Sequence, residues 1–261
     1  MTEQVQIAPV KVAGDLGMGD LRAALAAGWR DFTACPAYGL FFGGVYVAMG
    51  AALYYGLVTR GAAAWLLPLA AGFPLLGPFA GVGLYEVSRR REAGLPVTWG
   101  ATLGALRGRG DEQLVMMSGL IFVAFSVWMG LAHGIFAIFL ANAGPGMHSL
   151  DMLQSGAGLA MLAVGTGVGA FMALALYSIT VISLPMLVDR DVDFITAIIV
   201  SLATVRSNTA IMLVWAALMA VLLFLAMLPF FLGLLVVLPV LGHATWHLYR
   251  RVVGGGRGNS V

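Results

Sequence analysis

The 261 residues are 61% apolar and only 10% charged, where a soluble domain carries about 25% charged residues, so a surface built for water is excluded. A formal net charge of +2, with the basic residues in short clusters between apolar runs, excludes nucleic acid as a partner. The single cysteine, Cys35, excludes an internal disulfide framework and a cysteine-based metal cluster, and it reads as a small packed residue.

Along the chain, residues 1–19 combine charges, Pro9 and glycines with no apolar core of the kind a secretory signal needs, and they read as a disordered cytoplasmic tail. Residues 20–32 predict an amphipathic helix lying in the membrane interface. Leu21, Leu25, Trp29 and Phe32 share one face, and Asp20, Arg22, Arg30 and Asp31 take the other. A first apolar run near 38–58 and a second near 64–87 are each long enough to cross the hydrocarbon core. Glu86 lies one turn before Arg89 and Arg90, placed to pair with them at the interface. Residues 97–109 repeat the interfacial pattern more weakly, with Trp99, Leu103 and Leu106 on one face beside Arg107 and Arg109.

A third run spans 114–140 and contains His133. The loop ANAGPGMHSLDMLQSG follows, with His148, and leaves no room for an outer domain. A fourth run spans 156–188. Its GTGVG at 165–169 lacks the preceding strand of a phosphate loop, and its Thr166, Ser178, Thr180 and Ser183 hydroxyls are expected to bond their own helix.

Asp189, Asp191 and Asp193 around Arg190 are the densest charged motif. Three alternating carboxylates are a candidate for a divalent cation, but a solvated turn in which Asp191 or Asp193 caps the next helix is the simpler expectation. Residues 191–205 are apolar nearly all round and predict a helix buried against the bundle. The last two runs, near 209–228 and 230–249, leave room for only a tight turn at Pro229. His243 and His247, four apart on the last run, share a helical face. That spacing suits a metal, and a histidine pair from two helices such as His133 and His243 suits haem iron. No carboxylate or cysteine in the same run completes a site, so interfacial roles are expected and no cofactor is assigned.

These runs predict an all-α polytopic bundle of six transmembrane helices plus three short cytoplasmic-side helices. With the amino terminus inside, thirteen of the fourteen basic residues are cytoplasmic and only Arg60 is outside, which places both termini in the cytoplasm. A shift of 161 residues carries Pro68, Gly72, Pro78, Gly81, Arg89 and Arg90 onto Pro229, Gly233, Pro239, Gly242, Arg250 and Arg251. This predicts a pseudo-threefold repeat of helical hairpins in one domain, 20–253, with units at about 20–92, 96–190 and 191–253 and a disordered tail at 254–261. Almost no charge lies at membrane depth and no nucleophile, base and acid assemble, so neither a proton-coupled pump nor an enzyme is expected.

SLPMLVDRDVDFITAI at 183–198 and LPVLGHATWHLYRR at 238–251 resemble the bacterial family of predicted integral membrane proteins called DUF2189, over most of the chain beyond the first 20 residues. The resemblance implies a bacterial inner-membrane location and topology more than an activity. Some members carry a cytochrome c oxidase subunit label, but a haem-copper subunit needs more histidine ligands than the four present here, so the label implies an accessory or assembly partner. The leading expectation is a non-catalytic scaffold or accessory of a respiratory or other membrane complex, in contact with the lipid bilayer. A carrier or channel for a small uncharged or lipid-like molecule is the competing class, and a haem-binding protein the third.

Overall fold

A computed structural model describes residues 12–59, 77–105, 112–140 and 155–254, and among these the only regular structure is helical. The helices are α1 (Met18–Ala34), α2 (Pro36–Thr59), α3 (Gly77–Glu92), α4 (Trp99–Gly104), α5 (Gln113–Leu140), α6 (Gly156–Thr180), α7 (Ser183–Asp189), α8 (Phe194–Ser207), α9 (Thr209–Met227) and α10 (Leu234–Val253). Among the described residues, four stretches are long and apolar enough to cross a membrane: Pro36–Gly56, Gln113–Phe139, Gly156–Asp189 and Thr209–Met227. The first half of the predicted second span, the loop bearing His148, and both tails apart from residues 12–19 and 254 lie outside the described residues.

The helix at the centre is α10. It buries residues all round, from Leu234 through His243, Trp246 and Tyr249 to Val252. Its neighbours α1 and α2 run antiparallel along it. Asp20 meets Arg251, and β-carbons built on Gly28, Gly39 and Gly50 would meet Ala244, Pro239 and Phe231 in turn. Pro36 at the junction supplies no N–H to continue α1, which is why the chain bends there and begins a new helix.

The helix predicted over 20–32 is present, and only its packed face differs from the one expected. Leu21 and Phe32 are buried as expected, but the packed stripe of α1 is Leu21, Ala24, Gly28, Asp31 and Phe32, and Trp29 is exposed. The helix docks on α10 through its small residues. A β-carbon at Gly28 would lie 2.6 Å from the Ala244 nitrogen and 2.6 Å from the Val240 carbonyl oxygen, so glycine is what lets the two backbones approach.

The predicted fourth span is two helices, α6 and α7, broken at Val181 and Ile182. Pro185 explains the break, since its ring clashes with the carbonyl four residues earlier, that of Val181. The freed backbone is satisfied by α8: the Ser201 hydroxyl accepts from the Ile182 N–H (3.2 Å) and donates to the Ser178 carbonyl (2.7 Å). Helix α8 was expected to be buried against the bundle. It buries only the narrow face of Ala197, Val200, Ser201 and Thr204, while Ile195, Ile199 and Leu202 are exposed. The tight turn expected at Pro229 is present, with Phe230 and Phe231 at φ of 50° and 65°.

The α1–α10 contact makes a measurable demand. Gly28→Ala gains about 1 kcal/mol of helix propensity but drives a methyl into two backbone atoms, at a cost near the upper end of the 1–3 kcal/mol typical of overpacking. Net destabilisation of about 1–2 kcal/mol is expected, read as a lower midpoint in thermal unfolding of the detergent-solubilised protein. An unchanged or higher midpoint would refute the close crossing.

Candidate functional site

Two features share the helix pair α3 and α10, one polar and one apolar. The polar feature centres on Asp31, which is 7% exposed. Its Oδ2 accepts from the Ser88 hydroxyl (2.7 Å) and bonds Nε2 of His247 (2.8 Å), and its Oδ1 accepts from Nε of Arg91 (2.9 Å). Ser88 Oγ also lies 2.7 Å from Nδ1 of His243, and Arg91 reaches Cys35 Sγ at 3.6 Å. One carboxylate thus joins α1, α3 and α10. Burial by itself would raise the pKa of this carboxyl, but the hydrogen bonds from His247, Ser88 and Arg91 outweigh it and hold the group well below the usual carboxylate range.

Further ion pairs extend this end of the bundle. Glu86 takes Arg89 through two bonds of 2.6 Å and Arg90 through one of 3.0 Å. Glu92 accepts from the Trp246 indole (3.0 Å) and Arg250 (3.0 Å), and Asp189 from the Tyr249 hydroxyl (2.7 Å) and Arg250 (3.3 Å). Arg251 pairs with Asp15 and Asp20. Asn208 ties the leading segment down, accepting from the Leu16 N–H and donating to the Ala13 carbonyl.

The last span supplies no carboxylate to the histidine pair, but another helix does: Asp31 arrives from α1, more than 200 residues from His247. Ser88, His243 and Asp31 nevertheless meet. Their order is not that of a hydrolase triad, in which the imidazole stands between hydroxyl and carboxylate. Here the serine stands between, and both Ser88 and His243 are fully buried. His133 lies exposed on α5 while His243 is enclosed in α10, so the two are not brought together. The acidic motif divides: Asp189 pairs with α10, Asp191 is exposed, and Asp193 caps α8 by accepting from the Thr196 N–H (2.8 Å) and hydroxyl (2.6 Å). Among the described residues no group of three or more histidine, cysteine or carboxylate side chains is arranged to hold a metal.

The apolar feature is an open-sided cleft of about 450 Å³ between α6 and α9, floored by α3 and α10. Small residues make it. Ala170 and Ala173 from α6 and Ala216, Ala217 and Ala220 from α9 stand where larger side chains would close the wall. Tyr177 of α6 donates to the Met212 carbonyl of α9 (2.9 Å) and ties the two walls at one end. Leu174 and Leu213, 38% and 42% exposed, mark where the cleft meets the outer surface. The floor is Gly81, Leu84 and Tyr85 from α3 with Leu238, Leu241, Gly242 and Thr245 from α10, and no charged side chain lines the cleft among the described residues. A cavity of this size and lining is of the kind that holds small apolar ligands.

Sequence reasoning missed Asp31, Ser88 and Tyr85. The one available signal for Asp31 was its place three residues after Gly28 on the small-residue stripe Leu21, Ala24, Gly28.

An all-helical chain with several helices able to cross a membrane, charges gathered at one end and an apolar interior cleft defines an integral membrane protein. Residues 66–189 match the family described as predicted integral membrane protein DUF2189. The match takes in the first part of the SLPMLVDRDVDFITAI motif and ends before the α10 motif. No curated protein and no solved structure matches the chain.

Asp31→Asn removes the charge that Arg91 and His247 face, and a loss of about 3 kcal/mol is expected, the order found when one partner of a buried pair is removed. Because the folded carboxyl is held low, its contribution is complete above the ordinary carboxylate value of about 3.9 and fades as pH falls below it. Thermal midpoints taken from pH 7 downward should therefore fall more steeply below about pH 4 in the native protein than in Asp31→Asn. Parallel curves would sink the assignment.

Proposed function

We propose that this chain is a non-catalytic integral membrane protein whose bundle takes up a small uncharged, lipid-like molecule, as a carrier or channel for it. The observation that carries this is the open-sided cleft with apolar walls and no lining charge; a scaffold calls for a solid core there. The non-catalytic part is supported by the buried position of Ser88 and His243 and by their order relative to Asp31. The chain sits in the inner membrane with six spans, α3 and α10 completing the four helices of sufficient length, and with both termini cytoplasmic. What supports this orientation is that the paired arginines of α3 and α10 gather at one end of the bundle together with Ala13 and Val252. The three-unit hairpin organisation is supported by the common ending of α3 and α10 in paired arginines, Arg89 and Arg90 against Arg250 and Arg251.

A second reading, a scaffold or accessory subunit of a membrane complex, is favoured by one observation. Gly119, Gly130 and Gly134 of α5 have open space where a β-carbon would stand, which permits close approach by a helix of another subunit.

Two experiments test these proposals. Protein purified in mild detergent should retain a lipid-like molecule, identified by mass spectrometry of an organic extract, and Ala216→Phe should deplete it; equal retention would overturn the cleft as its site. A green fluorescent reporter fused after Val261 should fluoresce and an alkaline phosphatase fused there should be silent, and the reverse would overturn the topology.

A further inference from the structure

We infer that the Tyr85 hydroxyl reads the ligand of the cleft, donating a hydrogen bond to a neutral carbonyl oxygen carried on a long apolar chain. This rests on the cleft taking a lipid-like molecule, and it adds which chemical group that molecule bears.

Tyr85 lines the cleft and is 6% exposed, and its hydroxyl has no hydrogen-bond partner among the described residues. The other hydroxyls of the lining are all occupied. Thr180 and Thr245 donate to carbonyls of their own helices, Tyr177 donates to Met212, and Tyr46 has a partner. A hydroxyl left unpaired in an apolar interior is unfavourable, and a phenylalanine would fill the same space without that penalty. The local sequence also makes room for the oxygen. A β-carbon at Gly81, one turn back on α3, would lie 2.7 Å from it, so glycine there leaves the hydroxyl its seat at the cleft wall.

Chemistry narrows the acceptor. A carboxylate or ammonium would bring an uncompensated charge into a lining that has none, since Glu86, the next residue, is taken up by Arg89 and Arg90. An alcohol would accept from Tyr85 but brings an O–H of its own, for which the lining offers only the oxygens of hydroxyls already donating elsewhere, Thr180, Thr245 and Tyr177. A ketone or ester carbonyl has no donor of its own to satisfy. The chain attached to it follows from the shape: the lining runs from Leu213 to Met227 on α9, about 21 Å at 1.5 Å per residue, a length suited to an extended hydrocarbon.

The test uses detergent-purified full-length protein and three radiolabelled probes of equal length: a long-chain methyl ketone, the matching secondary alcohol and the matching alkane. Binding is read as probe co-eluting in gel filtration. Native protein should hold the ketone about tenfold more tightly than the alkane, the worth of one hydrogen bond, with the alcohol between. Tyr85→Phe should bring the ketone down to the alkane without lowering thermal stability, because no existing bond is lost. Gly81→Ala, which displaces the hydroxyl but keeps its chemistry, should do the same and serves if Tyr85→Phe does not fold. Equal binding of ketone and alkane by native protein, or ketone binding indifferent to both substitutions, overturns the role of Tyr85 while leaving the cleft as a lipid site. Binding of none of the probes overturns the lipid-like reading itself, and this inference with it.

Discussion

Everything in this fold answers to the enclosure of α10. A helix so largely covered hands few of its polar groups to water, and His243, Thr245, Trp246, His247, Tyr249, Arg250 and Arg251 find partners within the chain. Thr245 turns to its own helix. The rest draw in Asp31 and Asp20 from α1, Ser88 and Glu92 from α3 and Asp189 from α7. The acidic groups are thus spread over the three neighbours of one basic helix end, and each neighbour is held by at least one charge-assisted bond. The register of α1, α3 and α7 on α10 is set by this pairing as much as by apolar contact.

The same helix pair shows a different character on its other side. Ser88 and Arg91 of α3 and His243 and His247 of α10 belong to the Asp31 network, whereas Gly81, Leu84 and Tyr85 with Leu238, Leu241 and Gly242 floor the cleft. A polar joint therefore stands directly behind an apolar cleft. Leu84 packs where Gly242 has no side chain, so α3 and α10 lie close and the cleft floor is not free to collapse inward. Its walls are different. They are lined by alanines and joined at one end by a single bond from Tyr177 to Met212, and the volume is left where bulkier residues are absent.

Lipid as solvent explains what would otherwise look like poor packing. Phe122, Ile138, Phe171, Phe224 and Phe230 are between 62% and 77% exposed, an arrangement that aggregation would punish in water and that hydrocarbon does not. Within such a solvent the hydrophobic effect no longer drives helix against helix, and association falls to close contact of small residues and to polar bonds. Gly28 against Ala244 and Asp31 against Arg91 are one example of each.

Much of this was legible from the residues in order. The apolar runs at α2, α5, α6 and α9 are long enough to cross a bilayer core, Pro229 forces the last turn, Glu86 lies a turn from the arginines it binds, and Asp193 sits where a helix cap is needed. Each of these depends on neighbours within a few residues, which is the range over which local spacing carries information. The Asp31 joint and the cleft were not legible. Asp31 meets partners 57, 60 and 216 positions away, and beside Arg30 it has the appearance of an ordinary polar-face residue; only the docking of α1 through Gly28 turns it inward. The cleft is made by side chains that are small, on helices that meet only in three dimensions, and Tyr85 shows its unpaired hydroxyl only once those helices are in place. Periodicity tells which residues share a face, but what that face touches is decided by packing.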